Sequence, residues 1–123
     1  MSEYYYLNLN PLGKDEQDCV CRAISLATGR DYYDIEDKLH LTARLFECDE
    51  LCVCCYKHLL DYVFEYPKVH CRKMTVSEFM HKHPRGTFIL RMDGHCTCII
   101  NGRLFDTHDC LHRVITDAWA VTN

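Results

Sequence analysis

The sequence predicts one α+β domain over residues 1–123, with helices first and an antiparallel sheet at the end of the chain. The sheet is indicated by two turn dipeptides, Asp93-Gly94 and Asn101-Gly102, each set between runs of strand-forming residues. The helices are indicated by capping residues that precede helix-forming segments. At 123 residues the chain is long enough for one hydrophobic core and too short for two ordinary domains.

Each predicted helix begins after a capping residue. Asp18 precedes residues 19–28, which are apolar on nearly every side, and Gly29 supplies a stop. Because so little polar surface is left, we expect this first helix to be central and buried. The second predicted helix runs from Asp31 to about Phe46, with Ile35, Leu39 and Leu45 facing inward. The third runs from its cap Asp49 to about Phe64 and ends before Pro67. The fourth runs from Val76 to about Lys82 and begins with a capping box of Thr75 and Glu78.

Strands are predicted on both sides of these helices. Residues 3–9 favour an edge strand or a lead-in that crosses the core, and residues 113–121 favour a last strand that carries Ile115 and Trp119. If both turn dipeptides form two-residue turns, three antiparallel strands lie at about 87–92, 95–100 and 103–108.

The turns also predict the register of these strands. With Ile100 opposite Arg103, Thr97 faces Asp106 and His95 faces His108, and all lie on one face because side chains alternate along a strand. His95 and Asp106 are then diagonal neighbours, with about 7–8 Å between their α-carbons. A carboxylate at that distance can orient an imidazole, although a histidine at the edge of the core beside a solvated aspartate fits equally well.

The composition argues against several classes of function. A net charge of −4 gives no field that attracts nucleic acid or an anionic membrane. No apolar run approaches the ~18–20 residues of a membrane span, and the first residues lack signal-peptide features, so we expect a cytoplasmic protein. The ten cysteines are then expected to be reduced thiols. The chain has no glycine-rich phosphate loop, and we expect no cofactor.

Cys19 is the candidate nucleophile. It falls in the first turn of the buried helix, where free amides and the helix dipole favour a thiolate, although Asp18 beside it opposes ionisation. Cys21 points about 200° away and lies deeper, where burial raises a thiol pKa. A thiolate needs a histidine to move its proton, and the histidine needs an orienting group, which His95 and Asp106 supply.

The order of these parts is a cysteine that opens a central helix, then a histidine on one strand and an aspartate on the next. The matching segments are Asp18-Cys19-Val20-Cys21-Arg22-Ala23-Ile24, Thr75-Val76-Ser77-Glu78-Phe79, Gly86-Thr87-Phe88-Ile89-Leu90, Gly94-His95, Asn101-Gly102, Phe105-Asp106-Thr107-His108-Asp109-Cys110 and Trp119. They span most of residues 18–119. In these segments the chain resembles the papain-like cysteine peptidases, most closely small bacterial and phage-type proteins near the bacteriocin-processing peptidases.

This resemblance implies a papain-like fold and a peptide or protein substrate. Cys19 is then the nucleophile, His95 the general base and later acid, and Asp106 the residue that orients His95. Family members place an oxyanion-hole glutamine some residues before the nucleophile, whereas Gln17 lies only two before Cys19. The hole is therefore assigned to the Cys19 amide with Gln17, Asn10 or Asn8. A further departure is His108, where the family has an aromatic residue.

We expect Phe88, Leu90 and Ile99 to pack beneath the first helix, on the face that carries His95 and Asp106. On this reasoning, Cys96 and Cys98 facing that helix would contradict both the register and the triad.

Two other classes of function remain open. One is a catalytically inactive papain-fold module that binds or inhibits a partner. The other is a metal-binding protein, with His95, Asp106 and His108 as ligands, or with the cysteine-rich segment and Cys71 or His58 as ligands. That segment contains Cys48, Cys52, Cys54, Cys55 and His58. Because these residues crowd onto one predicted helix instead of forming two separated ligand pairs, we expect apolar packing of Cys52 and Cys55 and no structural metal.

Overall fold

The computed structural model describes residues 3–14, 17–49 and 53–122 and confirms a mixed α+β architecture. Its elements are β1 (Tyr4–Tyr6), α1 (Cys19–Thr28), α2 (Tyr32–Leu45), α3 (Val53–His58), a π-helical segment (Leu59–Val63), α4 (Val76–Lys82), β2 (Thr87–Met92), β3 (His95–Ile100), β4 (Arg103–Asp106) and β5 (Asp117–Ala120). The five strands form one sheet in the order β1-β4-β3-β2-β5, in which β1 runs parallel to β4 and the other pairs are antiparallel. Within the described residues, no helix has the length and apolar character that crossing a membrane requires.

The strand register predicted from the turns is confirmed. Ile100 pairs with Arg103 and Met92 pairs with His95. Asn101 and Gly102 both have positive φ, 50° and 71°, as a type I′ turn requires. At the other turn only Gly94 has positive φ, so the two turns differ in type although both connect adjacent strands in two residues.

Two strand ends differ from the prediction. Strand β4 stops at Asp106, so His108 lies beyond it and does not pair with His95. The last strand begins at Asp117 instead of residue 113 and pairs with β2. Val114, three residues before the start of β5, forms only an isolated bridge to Thr75 and is exposed.

The predicted packing of the sheet on the first helix is wrong. Helix α1 packs on the face that carries Ile89, Cys96 and Cys98. The opposite face is covered by α4, and its core residues are Val76, Phe79, Met80, Phe88, Leu90, Met92, Ile99 and Leu104. Alternation shows which side chains share a face but does not show which helix covers it, since both faces here are apolar. This packing meets the condition stated above for contradicting the register and the triad, but that condition was itself wrong. The strand pairs are as predicted, and Cys19 contacts His95 from the N-terminal end of α1.

The helices largely follow their capping signals. Helix α1 has the predicted bounds and ends at Gly29 with φ 70°, and Asp31 accepts a hydrogen bond from the Tyr33 amide at the start of α2. Leu45 was predicted to be buried, but it is 70% exposed because the last turn of α2 extends past the core. The predicted cap Asp49 lies before residues 50–52, which are outside the described residues, and the third helix becomes π-helical after His58.

The π-helical segment supports the core under β5. Its Asp61 carboxylate accepts a hydrogen bond from the indole N–H of Trp119 at 2.7 Å. Trp119 is fully buried, so this bond satisfies a polar group that would otherwise be costly to bury.

The capping box of α4 gives a test of the fold. Thr75 accepts from the Glu78 amide and the Glu78 side chain accepts from the Thr75 amide, both at 3.1 Å. We expect Thr75→Ala to lower the free energy of unfolding by about 1 kcal/mol, because an N-cap is lost. Urea denaturation measures this, with Ser77→Ala in the same helix as control. Equal losses in both variants would contradict the role of the cap.

Candidate active site

The start of α1 is fixed by the carboxylate of Asp18. Asp18 does not cap the helix through its side chain. Instead Oδ2 accepts hydrogen bonds from the Tyr32 hydroxyl at 2.8 Å and from Asn10 Nδ2 at 2.9 Å, and Oδ1 lies 3.0 Å from Arg22 Nε. Arg22 offsets this charge, which weakens the expected opposition of Asp18 to a thiolate at Cys19. Arg22 in fact lowers the Cys19 pKa.

His95 and Asp106 are hydrogen-bonded across the ends of their strands. His95 Nε2 lies 2.6 Å from Asp106 Oδ2, and both side chains are about nine-tenths buried or more. The other oxygen, Oδ1, accepts the Thr107 amide at 2.6 Å. Burial alone would raise the Asp106 pKa, but the hydrogen bonds to the carboxylate hold it below its usual value. An ionised Asp106 requires Nε2 to donate, which leaves Nδ1 as the ring nitrogen available to a thiol.

Cys19 contacts the His95 side chain. It is partly buried, which raises its pKa, but the hydrogen bond to His95, the charge on His95 and the Cys96 amide outweigh burial and lower the pKa overall. For His95 the balance has the opposite sign, because burial lowers its pKa while the contacts with Asp106, Cys110 and Cys19 raise it to about 11. Both shifts favour a thiolate beside an imidazolium.

Cys21 lies in a different environment, as its direction on the helix predicts. It is buried, its thiol donates to the Tyr32 carbonyl at 3.3 Å, and burial raises its pKa to about 12. Cys96 and Cys98, on the strand beside Cys19, are also buried thiols whose pKa values are raised by burial. Among the described cysteines whose pKa shift is resolved, the pKa is lowered at Cys19 and raised at Cys21, Cys71, Cys96 and Cys98.

Cys110 is a member of this site that the sequence reasoning did not assign. It is 2% exposed, and its Sγ lies 3.8 Å from Asp106 Oδ2. Among the described residues, His95, Asp106 and Cys110 form the one group whose metal-ligand atoms lie within 4.8 Å of one another. His108, the ligand expected in place of Cys110, is exposed, with its ring centroid 6.1 Å from that of His95. In the sequence, the one indication of this contact was that Cys110 follows Asp106 by four residues.

The cysteine-rich segment is dispersed in the structure, and Cys52 lies outside the described residues. Cys55 is fully buried and donates to the Leu39 carbonyl at 3.4 Å, which is the expected apolar packing. His58 Nδ1 lies 2.6 Å from the Cys54 carbonyl, and its ring stacks on Phe46. Cys71 belongs to the core on the opposite side of the sheet.

A cavity of about 520 Å³ opens in front of Cys19. Gln17, His95 and His108 line it together with residues of α2. Of the oxyanion candidates, Asn10 donates to Asp18 and Asn8 donates to the Lys14 carbonyl at 3.1 Å, so both amides are engaged. Gln17 is exposed on the cavity wall, and its side chain makes no hydrogen bond with the described residues. It is therefore the candidate whose amide is available to a ligand.

These environments predict which thiol reacts. We expect iodoacetamide to alkylate Cys19 fastest at pH 7, because its pKa is lowered and it borders the cavity. Cys19→Ala abolishes the fast phase, while Cys21→Ser leaves it largely intact. Peptide mapping by mass spectrometry locates the label. A fast phase that maps to Cys21 would show the assigned nucleophile to be wrong.

The dependence of alkylation on pH tests the link to His95. With the Cys19 pKa lowered, the rate should level off at a pH below the ~8.5 at which an ordinary thiol is half ionised. In His95→Ala the imidazolium is lost and burial remains, so the pKa rises and the rate at pH 7 falls by about tenfold or more. Rates from pH 5 to 10 measure this, with His108→Ala as control. An unchanged profile in His95→Ala would contradict the pairing.

Comparison of this chain with protein families, with curated proteins and with solved structures finds no match. The resemblance to papain-like peptidases therefore stays a prediction from the sequence. Function has to be argued from the chemistry of the site, since a fold class alone does not determine it.

Proposed function

We propose that this protein is a cysteine-dependent hydrolase that cleaves peptide or isopeptide bonds with Cys19, His95 and Asp106. The observation that carries the proposal is the chain of contacts from the Cys19 thiol to His95 and from His95 Nε2 to Asp106 at 2.6 Å. This chain connects a nucleophile, a proton carrier and an orienting carboxylate at the edge of an open cavity.

Each group has a defined role in the proposed reaction. The Cys19 thiolate attacks the carbonyl carbon and forms a C–S bond, and the carbonyl electron pair moves to oxygen. When this oxyanion collapses, the C–N bond breaks and the His95 imidazolium gives its proton to the leaving amine. His95 then takes a proton from water, which attacks the thioester. The C–S bond breaks and the carboxylic acid is released. The site then again holds the Cys19 thiolate and the His95 imidazolium.

Asp106 keeps the imidazole in the productive orientation. Its carboxylate accepts from Nε2, fixes the tautomer and stabilises the imidazolium. Cys110 packs against the same carboxylate oxygen and has no place in the proton transfers.

The oxyanion is proposed to lie between the start of α1 and Gln17. The first amides of a helix have no partner within the helix, so the Cys19 amide can donate to the oxyanion. Gln17 supplies a second donor from the same edge of the cavity. The same groups also serve acyl transfer to an amine, and the cavity shows no preference between water and an amine as the acceptor. We take peptide hydrolysis as the default reaction.

A metal-binding function is the second candidate. It is favoured by one observation, the proximity of ligand atoms from His95, Asp106 and Cys110. Zinc accepts this donor set of nitrogen, oxygen and sulfur. In that case His95 Nε2 would bind the ion and would no longer donate to Asp106.

The hydrolase proposal is tested with a pool of fluorogenic peptides and with intact-protein mass spectrometry to detect the acyl-enzyme. Cys19→Ala should abolish cleavage and the acyl adduct. Asp106→Asn should lower the rate about 100-fold, because proton transfer is impaired, while the free energy of unfolding changes less. The matched control is Asp109→Asn, an exposed carboxylate in the same loop.

Two outcomes would contradict the proposal. Cleavage that persists in Cys19→Ala would exclude the thiol as nucleophile. Protein without an acyl adduct that instead takes up one zinc per chain, and loses this zinc in Cys110→Ala, would favour the metal-binding candidate.

A further inference from the structure

One face of helix α2 forms the wall of the cavity opposite Cys19. Tyr32, Glu36, Leu39 and His40 all line the cavity. Their spacing along α2 places them on one side of the helix, toward α1. The substrate side chains next to the bond that Cys19 attacks would therefore lie against this face.

Glu36 is the carboxylate on this wall that lacks a neutralising partner. Of the two acidic residues that line the cavity, Asp18 is ion-paired with Arg22 at 3.0 Å and is about nine-tenths buried. Glu36 is half-buried and forms no ion pair or side-chain hydrogen bond with the described residues. An acidic side chain in such a position retains its charge toward a ligand in the cavity.

The charge of Glu36 acts on the interior of the cavity. Burial is the main reason that the pKa values of Cys21 and Tyr32 are raised, and the negative charge of Glu36 adds to both shifts. Both residues line the same cavity. The negative charge of Glu36 therefore acts on groups that line the cavity, as well as on solvent.

Apolar side chains line the same cavity as this carboxylate. Leu39 is 6% exposed and Val20 is partly buried, and both line the cavity. Lysine and arginine combine an aliphatic stem, which packs on apolar surface, with a charged end that pairs with a carboxylate. An acidic side chain would meet the like charge of Glu36.

We propose that Glu36, with the apolar wall of Leu39 and Val20, is a subsite for a lysine or arginine side chain next to the scissile bond. This inference rests on the proposed function, because it names the class of substrate that the Cys19 site accepts. The protein would then cleave cationic peptide segments in preference to acidic ones.

The test uses three chloroacetamide probes of similar size with an aminobutyl, a butyl or a carboxypropyl arm. Each alkylates a thiolate by forming a C–S bond and releasing chloride. The second-order rate of Cys19 labelling is measured at pH 8 in low salt, because surface histidines in general are mostly neutral there and salt screens charge. Within each variant, the rates of the charged probes are divided by the rate of the butyl probe.

In the natural protein we expect the cationic probe to be favoured over the anionic one by about tenfold, equivalent to about 1.4 kcal/mol. Glu36→Gln should reduce this ratio to near one, and Glu36→Lys should invert it. Asp37→Asn is a charge-matched control, since Asp37 is the next residue of α2, is exposed and does not line the cavity. Its ratio should stay near that of the natural protein.

Two results would overturn the subsite. One is a ratio that Glu36→Gln leaves unchanged. The other is an equal change in Asp37→Asn, which would show a general effect of net charge. Failure of the proposed function gives a distinct result, because the uncharged butyl probe would then not label Cys19 selectively. That result would also contradict the subsite, since the subsite rests on the proposed function.

Discussion

The ion pair and hydrogen bonds around the Asp18 carboxylate fix the position of helix α1. They connect the loop at Asn10, the start of α2 at Tyr32 and, through Arg22, the Thr107 hydroxyl beyond β4. A buried ion pair is costly to desolvate and contributes stability only when its remaining hydrogen-bonding groups are satisfied. Here Oδ2 accepts two hydrogen bonds, whereas Oδ1 has the ion-pair contact with Arg22 Nε but no hydrogen bond of good geometry. The same contacts therefore hold the start of α1 next to Thr107, the residue that follows Asp106. This fixes the position of Cys19 relative to Asp106.

The sequence allows the strands and the central residues of the site to be predicted, but not the layers of the fold. Asn101-Gly102 determines the pairing of β3 with β4, because few turn types join two strands in two residues. The helix that covers each face could not be predicted because both faces are apolar. Cys19 still reaches His95, since each is the first residue of its element and the two ends meet. Cys110 was missed because alternation gives no information beyond the end of β4 at Asp106.

The many cysteines of the chain show how strongly environment determines thiol chemistry. Cys21, Cys96 and Cys98 are small apolar residues of the core, and their ionisation is opposed by burial. Cys19 lies within two residues of Cys21 but borders the cavity and contacts His95. Counting cysteines therefore says little about reactivity, whereas the local balance of burial, hydrogen bonds and charge separates one thiol from its neighbours.

The short strand β1 links residues 4–7 to Asp106. The Asp106 carbonyl accepts the Leu7 amide at 3.0 Å and the Tyr4 hydroxyl at 3.2 Å. Residues 4–7 and Cys19 leave the ribosome long before His95 and Asp106, by a delay on the order of ten seconds at typical rates of synthesis. During that interval the Cys19 thiol has neither its imidazole nor the strand that completes the sheet. Until the hairpin of β3 and β4 has folded against β1, the nascent chain therefore carries a cysteine without the contact that lowers its pKa in the folded protein.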